Sequence, residues 1–98
     1  MIIVYHKRVS DGEVMEANVL RFKTLAEANR SIDEAYEEWK EMQGKVARRI
    51  STQADRLIRA DIQQWFRCSP IVEGEFEYFD IYKTKEAWDR NKAFYKLY

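Results

Sequence analysis

Ninety-eight residues make one domain and leave no room for two independent cores. Hydrophobic residues form 46% of the chain and charged residues 35%, yet 17 basic and 17 acidic side chains cancel to a formal net charge of zero. That mixture excludes a disordered, highly charged tail, and it removes the global positive field that draws proteins to nucleic acid or an acidic membrane.

Residues 2–9, IIVYHKRV, are β-branched and aromatic, which suits a strand. Ser10-Asp11-Gly12 follows, and Asp-Gly tolerates the positive φ angles of a tight type I′ turn. The return strand, 13–23, sets Val14, Leu20 and Phe22 on one face and Met15, Ala17 and Val19 on the other, so neither face is cleanly polar. Thr24 then opens a helix, with Glu27 three residues on to complete a capping box. Leu25, Ala28, Ile32, Ala35, Tyr36, Trp39 and Met42 recur at helical spacing, and Gly44 is placed to cap the end.

A second helical pattern covers Lys45 to Cys68 through Val46, Ile50, Ala54, Leu57, Ile58, Ile62, Trp65 and Phe66. Continued at its own spacing, the first stripe would meet Arg49, Gln53 and Arg56, so the apolar face changes phase after Gly44. This predicts a helical hairpin, with one kinked helix as the alternative. Ser69-Pro70 ends it, because proline disfavours helix in the residue before it. Residues 71–83 read as a last strand, with a bulge at Gly74 or at Tyr78-Phe79. Thr84 caps a final helix bearing Ala87, Trp88, Asn91, Phe94, Tyr95 and Tyr98 on one face. Phe22-Lys23-Thr24 and Tyr82-Lys83-Thr84 echo each other, which we read as a shared need for a strand end followed by a helix cap.

The expected architecture is one α+β domain over 1–98, order β-β-α-α-β-α, with a three-stranded antiparallel sheet packed against helices. So small a sheet leaves edges that a homodimer would cover.

Site chemistry is sparse. His6 is the sole histidine and lies inside a strand, without an identifiable nucleophile to activate. Cys68, the one cysteine, sits at the end of the expected second helix, where the dipole raises a thiol pKa. Together these two residues fall short of the four ligands of a structural zinc. Three scattered glycines make no phosphate loop. No cofactor or metal is expected. Nor does any stretch approach the roughly 20 apolar residues of a membrane span, and the apolar start is too short for a signal peptide, so a reducing cytoplasm is the expected setting.

Charge is segregated instead. Residues 24–44 hold six acids against two bases, and residues 45–68 hold six bases against two acids. On a helix, Lys45, Arg49, Arg56, Arg59 and Arg67 would share one polar stripe with Thr52 and Gln63. That stripe suits pairing with the acidic helix, a protein partner, or phosphates. Within 71–83, aromatics alternate with Glu73, Glu75, Glu77 and Asp80, the wrong sign for stacking nucleic-acid bases. These features predict a non-enzymatic protein-interaction module, a small adaptor, inhibitor or regulatory subunit, homodimeric. Its contacts are Arg49, Arg56 and Arg59 on the basic helix and Glu75, Glu77 and Tyr78 on the last strand. The alternative is a nucleic-acid-binding regulator using residues 45–68.

Overall fold

The computed structural model describes residues 1–50, 55–58, 62–69 and 74–95, with side chains over 1–41, 62–69 and 74–95. The class is α+β, as the sequence implies, but the sheet is larger. Five antiparallel strands stand in the order β2-β1-β5-β4-β3. They are β1 (Ile2–Ser10), β2 (Glu13–Phe22), β3 (Asp55–Ile58), β4 (Ile62–Cys68) and β5 (Phe76–Tyr82). The helices are α1 (Leu25–Ile50) and α2 (Lys85–Asn91), the latter running into a single 3-10 turn, Lys92–Tyr95. The order is therefore β-β-α-β-β-β-α rather than β-β-α-α-β-α.

The first hairpin forms as its turn chemistry requires. Asp11 and Gly12 take φ of 52° and 77°, the two positive values of a type I′ turn. A register shift between Arg8 and Val9 leaves Met15 of β2 as the extra, unpaired residue of a bulge. In the last strand, pairing is regular from Phe76 to Tyr82 on both sides, so no bulge forms at Tyr78-Phe79, and Gly74, with φ of 76°, lies before the paired segment.

Both predicted threonine caps are made. Thr24 Oγ1 accepts from Glu27 N at 3.2 Å, while the Glu27 carboxylate accepts from Lys23 N at 3.3 Å. Thr84 Oγ1 accepts from Ala87 N at 3.1 Å. The two Lys-Thr segments thus do the same local work, each turning the chain out of a strand and into a helix. Phe22 and Tyr82 precede them and join opposite sides of the sheet.

Two apolar layers result. On one face, Ala28 and Ile32 of α1 pack on Ile2, Val4, Phe79 and Ile81, with Leu20, Phe22, Leu25, Ala35 and Trp65 around them. On the other, Ala87 and Trp88 of α2 pack on Ile3, Tyr5 and Tyr82, with Val19, Ile62, Tyr78 and Tyr95 alongside. Consecutive residues Ile2 to His6 are all buried because β1 is covered on both sides.

The helical hairpin expected over 25–68 does not form. The helix passes through Gly44 without stopping, and the region expected to be its return contributes β3 and β4. Adjacent Trp65 and Phe66 explain how. In a sheet covered on both faces, neighbouring residues can each find apolar company, Trp65 in the α1 layer and Phe66 beside Phe76 at 6.1 Å. The final helical face is also revised, because Phe94 is 80% exposed. No helix among the described residues is long and apolar enough to cross a membrane.

Candidate functional sites

Each sheet face carries one polar constellation, and the two differ in character. On the α1 face, strand alternation brings His6 (β1), Glu77 (β5) and Arg67 (β4) side by side. All three are buried. Glu77 accepts from His6 Nε2 at 2.5 Å with one oxygen and from Arg67 Nε at 2.9 Å with the other. Arg67 also lies with Cζ 4.0 Å from the centre of the Trp39 ring and Nη1 3.5 Å from Glu75. Trp39 Nε1 donates to that same Glu75 oxygen at 3.3 Å. At the far end, His6 Nδ1 is 3.6 Å from Glu16, which takes a 3.3 Å hydrogen bond from Arg8.

Burial opposes ionisation of Glu77, but the His6 hydrogen bond and the Arg67 charge outweigh it, leaving the carboxyl below its ordinary pKa. With Glu77 ionised, the shared proton resides on His6 Nε2, and the Phe79 ring stacks on the imidazole at 4.3 Å. A cleft of about 230 Å³ opens beside this network, lined by His6, Arg8, Glu16, Trp39, Arg67 and Glu77 among others. No serine, threonine or cysteine is among the described residues that line it.

The other face centres on Asp80, in the middle strand of the sheet. Its register neighbours are Tyr5 on β1 and Gln64 on β4, and Tyr78 and Tyr82 lie two residues away on β5. Asp80 accepts from Gln64 Nε2 and from the Tyr95 hydroxyl, each at 2.6 Å. Tyr82 and Tyr95 also share a hydrogen bond between their hydroxyls. Because each phenol has one proton and that of Tyr95 points to Asp80, Tyr82 is the donor between them. Burial raises the Asp80 carboxyl, with the Tyr95 and Gln64 hydrogen bonds partly offsetting it. Burial together with Asp80's charge lifts Tyr5, and burial with the charges of Tyr5 and Asp80 pushes Tyr78 up to about 12. Ile62, Gln64, Asp80, Tyr82, Asn91, Phe94 and Tyr95 line a cleft of about 260 Å³.

Of the six contact residues expected from sequence, Glu75, Glu77 and Tyr78 have described side chains. Glu75 and Glu77 join the α1-face network, where both pair with Arg67. Tyr78 is half-buried on the opposite face, 6.1 Å from Tyr5. The side chains of Arg49 and Arg56 and the whole of Arg59 lie outside the described residues. The single basic stripe is overturned all the same, since Arg49 belongs to α1, Arg56 to β3 and Arg67 to β4. With it goes the structural premise of the nucleic-acid reading. Cys68 is exposed at the end of a strand, so the helix-dipole argument no longer applies to it.

Sequence reasoning missed Arg67, Trp39 and Asp80 as site residues. An arginine at helical spacing reads as a solvated flank, and an aspartate beside glutamates reads as strand surface.

The remaining feature is an edge. Strand β2 pairs with β1 on one side and with no described strand on its other. Every residue from Glu13 to Asn18 is exposed, with Val14 and Met15 at 56% and 52%. The chain matches no protein-family model, no curated protein and no solved structure.

Proposed function

We propose that this chain is a protein-interaction module that acts by binding rather than catalysis, and that it assembles through the outer edge of β2, first with a second copy of itself. The observation that carries this reading is the ten-residue strand β2 at the rim of the sheet, bearing two more-than-half-exposed apolar side chains. An edge strand presents a row of backbone donors and acceptors ready to pair with another chain. Proteins usually blunt such edges with lysine, proline or a bulge. Here neither lysine nor proline occurs between Glu13 and Phe22, and the one bulge sits near the turn, leaving Glu16–Phe22 regular.

Charge favours a second copy in antiparallel array. Glu13 and Glu16 mark the start of β2 and Arg21 and Lys23 its end, so two-fold pairing lays the acidic end of one strand along the basic end of the other. The His6–Glu77–Arg67 network supports a binding role in a different way: its titratable groups are engaged with one another, as in a structural element. Sedimentation velocity tests the proposal. The wild-type chain at about 100 µM, well above a micromolar dissociation constant, sediments as a dimer. A variant carrying Met15→Lys and Ala17→Lys, both at exposed edge positions, sediments as a monomer with an unchanged circular dichroism spectrum. A monomeric wild type at that concentration overturns the reading.

A further inference from the structure

We infer that the step between α2 and the edge strand β2 is a binding site for a phosphate monoester with an apolar body. The site lies within one copy of the chain and does not depend on the edge pairing. Strand register builds its floor. Ile3 of β1 lies opposite both Arg21 of β2 and Tyr82 of β5, so the three form a row across one face of the sheet. Helix α2 packs on Ile3 and Tyr82 through Ala87 and Trp88, while Arg21, farther out on the rim, is exposed. A cleft of about 510 Å³ opens there, lined by Ile3, Arg21, Lys85, Trp88, Asp89 and Lys92 among others. That volume falls in the ~300–1,000 Å³ range of ligand pockets.

Helical spacing builds the wall. Lys85, Trp88, Asp89 and Lys92 recur every three or four residues, which sets them on one flank of the helix. Lys85 and Lys92 thereby converge with Arg21, which comes from a different element. Among the described residues that line the cleft, Asp89 is the one acid, 3.4 Å from Lys92 Nζ. Arg21 and Lys85 make no ion pair with a described residue. The lining thus carries two positive charges in excess. Like charges gathered at one cleft repel each other and concentrate the field that attracts an anion.

The size of that excess selects the ligand. A phosphate monoester carries about −1.5 to −2 charge near neutral pH and so matches it, whereas a carboxylate supplies one charge only. Its three terminal oxygens accept from separated donors, and arginine and lysine provide them here from two sides. Ile3 and Trp88 add apolar surface at the base, which favours an organic phosphate over the inorganic ion.

Calorimetry and amide NMR at about pH 7.5, where the phosphate is largely a dianion, test the inference. The probes are phenyl phosphate, phenol, inorganic phosphate and a short phosphotyrosine peptide. Phenyl phosphate or the peptide binds and shifts the resonances of Arg21, Lys85 and Trp88. Tighter binding of the peptide identifies a modified protein as carrier, and tighter binding of phenyl phosphate a free small molecule. Inorganic phosphate binds severalfold more weakly, and added salt weakens all of these complexes. Arg21→Gln and Lys85→Gln each lose roughly threefold in affinity and, both positions being exposed, do so without loss of folding. No binding of either organic phosphate at about 1 mM, phenol binding as tightly as phenyl phosphate, inorganic phosphate binding equally, or unchanged affinity in the double variant overturns the assignment.

Discussion

His6 and Glu77, 71 residues apart in the chain, meet at 2.5 Å between β1 and β5 under the cover of α1. The pair is held in a line of charges that includes Arg67, Glu75 and Glu16. Removing one member of a buried ion pair leaves the others uncompensated, which costs about 3–5 kcal/mol. Glu77→Ala therefore lowers unfolding free energy by about 3 kcal/mol in urea titration at neutral pH. Glu77→Gln, which keeps an acceptor for one neighbour, costs less.

Acid should erase that difference. Glu77 is held below its ordinary pKa in the folded state, so its contribution is complete above the usual carboxylate range, ~4.3. The contribution fades as pH falls through the lower folded value. The groups facing Glu77 are His6 from β1, Arg67 from β4 and Glu75 from the approach to β5, with Trp39 above Arg67 from α1. Urea midpoints of the wild type and Glu77→Gln measured from neutral to strongly acid pH should converge. A gap of constant size would contradict the assigned role of the carboxylate.

Asp80 has the opposite sign. Its folded-state pKa is raised, so the neutral acid favours folding below the unfolded value, ~3.9, and that contribution is lost as pH rises through the folded value. Facing it are Tyr5 from β1, Gln64 from β4, Tyr78 and Tyr82 on its own strand, and Tyr95 from the 3-10 turn. Asp80→Asn should gain stability relative to the wild type as pH climbs from acid to neutral. Carbon-13 detection of the carboxyl should place its titration above the ordinary aspartate value. A carboxyl titrating at or below that value would contradict the description of this site.

Gly12 offers a purely backbone test. Its φ of 77° lies in the left-handed region, and a Cβ added there would meet nothing within 4 Å. Gly12→Ala therefore costs only conformational strain, about 1–2 kcal/mol, read as a lowered melting temperature with the fold retained.

How much of this was legible in the sequence depended on whether local chemistry was left to speak for itself. Asp11-Gly12 and the caps Thr24 and Thr84 act within a few residues of themselves, and all three behave as their chemistry directs. The region 45–68 was misread because β4 lacks a polar face. Trp65 is covered from one side, Phe66 neighbours Phe76 on the other, and Gln63 and Arg67 are buried polar residues that imitate a solvated helical stripe. Arg67 can be buried because Trp39 and two glutamates surround it, and those partners come from residues 8 to 28 positions away. The Asp80 cleft was hidden for the same reason. Its tyrosines come from β1, β5 and the last turn, and the topology alone brings them together.

Amide hydrogen exchange along β2 examines the edge pairing most directly. Within Glu16–Phe22, alternate amides face β1, and the intervening ones face outward. Pairing with a second copy predicts slow exchange for both sets at high protein concentration, with the outward set becoming fast on dilution or in the Met15→Lys, Ala17→Lys variant. Outward amides that exchange rapidly at every concentration would contradict it.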